Sequence, residues 1–169
     1  YGLLDRLVGE CKEIGIYLVM VTGGEPFVRK DLLDLFEAHG DVLFQVYTNA
    51  TLVDEKMVER FVALGNVALA ISLEGFKEET DARRGRGHFD RAVQVMRWLK
   101  EAGLLFAVSA TQTSRNTDTL TSDAFIDFLV EQGCIFLWNF HYIPIGRDPD
   151  LSLMATPEQR NRSRERLEY

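Results

Sequence analysis

Cysteine is nearly absent from this sequence: Cys11 and Cys134 are the only two among 169 residues, far apart and in no Cys-x-x-Cys pair. That excludes a disulfide framework and leaves too few thiolates for a cysteine-built metal site. Cys11 falls on the apolar stripe of an expected helix and Cys134 precedes a hydrophobic strand, so both read as small buried hydrophobes. No apolar run approaches the roughly 20 residues that cross a bilayer, and nothing resembles a signal peptide, so no membrane partner is expected. Basic charge is in deficit as well. Nineteen Lys and Arg against 26 Asp and Glu give a net charge of −7, which offers no field for phosphate backbones, and nucleic acid is not an expected partner. The balance fits an acidic cytoplasmic protein. Also missing are a serine triad, a metal-ligating His-x-x-x-His and a phosphate-binding glycine loop, so no catalytic residue and no metal ligand can be named.

What is present is a chain that is 46% hydrophobic, enough for one substantial core and one domain spanning 1–169. Short apolar strands alternate with amphipathic helices, the pattern of a parallel α/β sheet built from βα units. Strands are expected at Ile16–Val21, Leu43–Thr48, Val67–Leu73, Leu105–Thr111 and Ile135–Ile143. Helices are expected near Leu3–Ile14, Lys30–Ala38, Asp54–Leu64, Phe89–Ala102 and Thr121–Gln132. Gly15, Gly40, Gly65, Gly103 and Gly133 each follow a helix, where a left-handed residue is wanted. Thr156-Pro-Glu-Gln159 is a capping box, so a terminal helix should start at Pro157; its charged remainder, Arg160 to Glu168, reads as a solvated end. The turn-rich stretch from Pro144 to Ser152 reads as an ordered loop.

In parallel βα architectures ligands sit at the carboxyl ends of strands, so the residues just after each strand are the ones to inspect. After the first comes Thr22-Gly23-Gly24-Glu25-Pro26: two glycines that let the main chain approach a ligand, a carboxylate suited to an ammonium, and a proline that stiffens the turn. Taken alone it could equally be a tight turn into a helix. After the second strand stands Thr48-Asn49-Ala50-Thr51-Leu52, and the third ends in Ser72-Leu73-Glu74-Gly75, followed by Thr80-Asp81, Arg84 and Gly87-His88-Phe89-Asp90. His141, Trp98 and Trp138 read as packing residues.

This series resembles the radical S-adenosylmethionine (SAM) superfamily, near the branch of peptide-modifying and sulfatase-maturing enzymes. Gly-Gly-Glu-Pro is similar to the motif that holds the cofactor's methionine amino group. Thr48 to Leu52 is similar to Thr-Asn-Gly-Thr-Leu, with Ala50 in place of glycine, and Ser72 to Gly75 to Ser-Leu-Asp-Gly with a longer acid. The resemblance implies a partial (β/α)₆ TIM-like barrel whose second to sixth strands are present. It implies that Gly23, Gly24 and Glu25 face the methionine ammonium and that Pro26 shapes their turn. Ser72 and Arg84 become candidates for the methionine carboxylate or a ribose hydroxyl, Asn49 for orienting cofactor or substrate, and Tyr142 and Ile143 for a wall beside adenine.

The implied cofactors are SAM and, in a full-length parent, a [4Fe–4S] cluster held by three cysteines on a loop after the family's first strand. Because the chain opens abruptly in helical register at Leu3, it is expected to be a fragment whose first strand and cysteine loop lie upstream, and to be inactive alone. Implied partners are a peptide or small-molecule substrate and an electron donor such as flavodoxin or ferredoxin; dimerisation through an exposed sheet edge is also expected. Two other readings stand beside this one. The chain could be a degenerate barrel serving as a non-catalytic binding or regulatory module, or a sugar- or phosphate-metabolising barrel in which Glu25 is a general base.

Overall fold

A computed structural model describes residues 2–146 and 148–167; Arg147, inside the expected loop, and Glu168, in the expected helical end, lie outside them. Five strands, β1 (Leu18–Val21), β2 (Leu43–Thr48), β3 (Val67–Ser72), β4 (Phe106–Gln112) and β5 (Phe136–His141), pair in parallel in chain order. Parallel neighbours need crossovers, and the crossovers are helical: α1 (Gly2–Glu13), α2 (Leu32–Ala38), α3 (Glu55–Leu64), α4 (Lys77–Arg84), α5 (His88–Glu101), α6 (Thr117–Leu120), α7 (Asp123–Gln132) and α8 (Pro157–Leu167). None is long and apolar enough to cross a membrane, among the described residues.

Strand alternation sorts the sheet into two faces. Phe44, Val46, Leu69, Ile71 and Val108, at 0–2% exposure, point to one side, where Phe36, Phe61, Val95, Met96 and Phe125 from the helices complete the core. Phe36 stacks on Phe44 with ring centroids 4.4 Å apart. The other face follows the register rows Met20–Gln45–Ala68, Tyr47–Ala70–Ala107–Phe136 and Ser72–Ser109–Trp138. In a flat sheet β2 and β5 would be three strand spacings apart, about 14 Å. Yet the rings of Tyr47 and Phe140 lie 6.3 Å apart across this face. The sheet therefore curls around it, giving a half-barrel with helices outside. No charged side chain stands on those rows, and burial pushes the Tyr47 phenol above its ordinary range, so it stays neutral at physiological pH.

The expected elements agree with these bounds to within about two residues, and α4, α6 and two 3₁₀ turns, Pro26–Val28 and Leu151–Leu153, are additions. Gly15, Gly65, Gly103 and Gly133 take positive φ of 69° to 89°, as their helix-ending role requires, but Gly40 does not. There α2 stops at His39, which folds the chain back through the Val42 amide to its own carbonyl. The capping box forms as expected, Thr156 and Gln159 each donating a main-chain N–H to the other's side chain. The end of α8 is not simply solvated. Ser163, at 4% exposure, donates to the buried Gln112, and Gln159 donates to the Ser114 carbonyl, so polar groups dock a helix that has little apolar surface. Cys11 and Cys134 are only half-buried, and His141 is exposed at the end of β5.

Candidate functional site at the carboxyl ends of the strands

The turn after β1 owes its shape to two glycines. Gly23 has φ of 150°, a backbone that side-chain-bearing residues rarely adopt, and no atom lies within 4 Å of where a Cβ would stand at Gly23 or Gly24. The main chain there is open to approach. Glu25 then caps the 3₁₀ turn by accepting from the Phe27 amide (3.2 Å), with Pro26 at the first position. Phe27 anchors the turn, 7% exposed and 5.6 Å from the Phe61 ring of α3.

The Glu25 carboxylate is half-buried and turned across to the end of β2. It accepts from the Thr48 hydroxyl at both oxygens (2.9 and 3.0 Å) and from the Asn49 amide (2.8 Å). All these donors are neutral; among the described residues no Lys, Arg or His pairs with it. A fixed, charged acceptor beside an open backbone is suited to a cation. The Asn49 side chain is engaged locally, taking the Thr51 amide and hydroxyl at 2.9 and 2.6 Å in an Asx turn. Ala50 follows with φ of 66° and no exposure. From α5, Arg91 lies 5.2 Å above the Trp98 ring and donates to the carbonyls of Ala50 (3.3 Å) and Val53 (2.7 Å), which fixes this loop.

At the end of β3, Ser72 stands on the concave face opposite Ser109. The next polar residue is the one sequence reasoning missed. Glu74 is 1% exposed and accepts Arg84 Nε and Nη2 (2.9 and 2.5 Å) on one oxygen, with Arg83 Nε 3.4 Å away, and the Thr111 amide (2.9 Å) on the other. Arg84 is thus held on a buried acid of its own chain. Thr80 donates to the Gly75 carbonyl, and Asn116 to the carbonyls of Glu74 and Thr111, so one network joins β3, β4 and α4. Asp81 accepts the Gly87 and Phe89 amides, both 2.9 Å away; these bonds hold its carboxyl below the usual range and fix the start of α5.

Past β5, the Tyr142 hydroxyl accepts from the Asp150 amide (3.1 Å), while Ile143 is 64% exposed. Tyr142 lines a cavity of about 590 Å³ with Glu74, Arg83, Thr113 and Arg115, and a second cavity, of about 610 Å³, runs from α1 along β1 to Gly23, Gly24, Glu25 and Pro26. The sequence-expected residues therefore fall along one rim in two groups. Gly23 to Pro26 border the cavity of about 610 Å³ and are hydrogen-bonded to Asn49 through Glu25; Tyr142 lines the cavity of about 590 Å³, Arg84 is bonded to its Glu74 wall, and Ser72 lies between. Among the described residues, no three His, Cys, Asp or Glu gather as they would around a metal ion.

Residues 3–112 match the family model of the Radical SAM superfamily. Among curated relatives, the AdoMet-dependent heme synthase of Methanosarcina barkeri is 30% identical over 84% of this chain and 41% of its own length. The mycofactocin maturase MftC of Mycolicibacterium smegmatis is 33% identical over 90% of this chain and 40% of its own. The chain thus spans about two fifths of the length of these relatives. Among solved structures, Streptococcus suis SuiB bound to S-adenosylmethionine superposes with a TM-score of 0.83 at 19% identity, covering 98% of this chain and 39% of SuiB. The anSMEcpe protein with bound AdoMet gives 0.72 at 18% identity, covering 88% and 42%. At such identities the structures speak for the fold, the partial TIM-like barrel.

Proposed function

Because this chain belongs to the radical SAM superfamily, we propose that it is the cofactor-holding barrel, a single domain over 1–169, of an iron–sulfur enzyme that binds S-adenosylmethionine at Gly23, Gly24 and Glu25. When bound beside a reduced [4Fe–4S] cluster, that cofactor supplies a 5′-deoxyadenosyl radical able to take a hydrogen atom from a substrate. The observation that carries the reading is Glu25: a half-buried carboxylate held by three neutral donors, with no cation paired to it among the described residues, next to two glycines with open space above them. An amino acid's ammonium would complete it. Pro26 keeps the turn rigid, and Asn49 supplies its amide to Glu25 and holds the following loop. Ser72 offers a hydroxyl from the concave face to the cofactor's carboxylate or ribose. Arg84 has Nε and Nη2 on Glu74 and offers Nη1 to the same groups. Tyr142 and Ile143 form the wall beside adenine.

These residues do not fit the cluster itself. Cys134 precedes β5 and Cys11 lies on the helix feeding β1, both toward the amino-terminal end of the sheet, opposite Gly23 to Glu25. Burial also pushes the Cys134 thiol up, away from the thiolate that iron requires. Cluster ligation is therefore assigned to a longer protein, and the chain alone is assigned no turnover. Its substrate is a peptide or small molecule received by the uncharged concave face, its electron donor a flavodoxin or ferredoxin, and the free edge of β1 a route to dimers. A peptide is supported by the relative named PqqA peptide cyclase and by the similar fold of SuiB bound to precursor peptide SuiA.

The test is reconstitution of the longer protein with iron and sulfide, followed by assay of 5′-deoxyadenosine under reduction. Release that falls at least about tenfold in Glu25→Gln supports the reading, as expected for the loss of a charged hydrogen-bond partner. A correctly assembled cluster with no SAM cleavage would favour a non-catalytic binding module instead.

A further inference from the structure

We propose that Thr48 is a positioning residue that aims the Glu25 carboxylate at the cofactor's ammonium. The inference rests on the reading of Glu25 given above. Thr48 is the last residue of β2, 1% exposed, in register with Ile71 and on the same side of the strand as Val46. Alternation thus points its side chain toward the apolar, helix-covered face, where valine would fill the same volume. Packing alone gives no reason for a hydroxyl there. The hydroxyl has one proton, and that proton is shared between both Glu25 oxygens at 2.9 and 3.0 Å. Its lone pair accepts the Ala50 amide at 3.0 Å, which fixes the direction of the O–H. With the Asn49 amide on Oε2 and the Phe27 amide on Oε1, each carboxylate oxygen has two donors. The carboxylate is locked in rotation, with no competing cation among the described residues. Thr48 thereby orders a group on β1 from β2, and touches no ligand itself.

The experiment is equilibrium binding to the full chain of two probes, S-adenosylmethionine and 5′-methylthioadenosine, the second lacking the amino acid. Thr48→Val should weaken S-adenosylmethionine about tenfold, as for other hydrogen bonds to a charged group. It should leave 5′-methylthioadenosine unchanged, and Thr48→Ser should restore the preference. The double variant Thr48→Val/Glu25→Gln should bind no more weakly than Glu25→Gln alone, because a residue acting through Glu25 loses its effect once the charge is gone. Equal weakening of both probes, or additive losses in the double variant, would mean that Thr48 only supports the fold, and overturns the proposal. If Glu25→Gln discriminates between the probes and Thr48→Val does not, Thr48 is wrong and the Glu25 reading survives. If Glu25→Gln does not discriminate, both fall together. Should Thr48→Val fail to fold, Thr48→Ser against Thr48→Ala, differing by the hydroxyl alone, makes the same comparison.

Discussion

Ala50 holds a left-handed backbone, φ 66°, at zero exposure, where the resembling motif has glycine. An L-residue there costs roughly 1–2 kcal/mol relative to right-handed backbone. Ala50→Gly would relieve that, but loses a buried methyl worth about 0.8 kcal/mol and adds unfolded-state entropy worth about 0.4–1 kcal/mol. The terms nearly cancel, so Ala50→Gly should leave the urea midpoint almost unchanged. Ala50→Val, β-branched at positive φ in a filled site, should lower stability by more than about 2 kcal/mol. Glu74 gives a second prediction at this scale, from an asymmetry of burial. Its side chain is 1% exposed, whereas that of Arg84 is 23% exposed. Arg84→Ala leaves a buried carboxylate with only Arg83 at 3.4 Å as a cation, and should cost on the order of 3 kcal/mol. Glu74→Gln keeps an acceptor for the Thr111 amide and leaves a guanidinium that water can reach, and should cost about 1–2 kcal/mol. Reversal of that order in urea titrations would mean that Arg84, not Glu74, is the group whose charge the fold must accommodate. The pairing was illegible in the sequence because it joins residues ten apart across a turn, whereas Gly23 to Glu25 form a contiguous motif that could be read directly.

At the scale of elements, legibility followed apolar periodicity. The residues of β2 were placed without error because Leu43 to Thr48 run unbroken between turns, while α4 was missed because in Lys77–Arg84 only Thr80 is buried. Polar contacts instead hold α4 and its successor: Thr80 to the Gly75 carbonyl, and Asp81 to the first amides of α5. This makes the junction pH-sensitive. The Gly87 and Phe89 amides donate to the ionised form of Asp81, so its folded pKa is depressed. The associated stability is present above the unfolded value, about 3.9, and is lost as pH falls through the lower folded value. Asp81→Asn should therefore lower the urea midpoint near neutrality and flatten its fall below about pH 4, so that the two profiles converge in acid. An unchanged acid limb would show that these amides are satisfied without the charge. The docking of α8 was unreadable for a related reason: Ser163 and Gln112 meet 51 residues apart, and no periodicity marks them.

For the molecule as a whole, parallel pairing was legible from the βα repeat, whereas the chain-order sequence of strands came only with the barrel that the resemblance implied, since right-handed crossovers also permit other orders. The curl was legible only through that same resemblance, since hydrophobic periodicity does not carry it. On the concave face the central strands β3 and β4 carry Ala68, Ala70, Ser72, Ala107 and Ser109, small enough for the sheet to close around them, while the bulky Tyr47, Phe136 and Trp138 stand on the flanking strands. Closure stops at β1, which among the described residues pairs with β2 alone, and beside that edge Leu18 and Met20 are each 49% exposed. Unpaired main-chain groups flanked by apolar side chains favour strand addition by another chain. Purified as these 169 residues, the protein should show a sedimentation coefficient that rises with concentration. Met20→Lys should remove that rise, because a charge on the edge strand must be desolvated when a second chain pairs there. The same charge on a half-exposed position should shift the unfolding midpoint little. A monomer at all concentrations, in both the parent chain and Met20→Lys, would mean that the edge is already protected by its own twist and by α1, and that the concave face needs no partner to stay soluble.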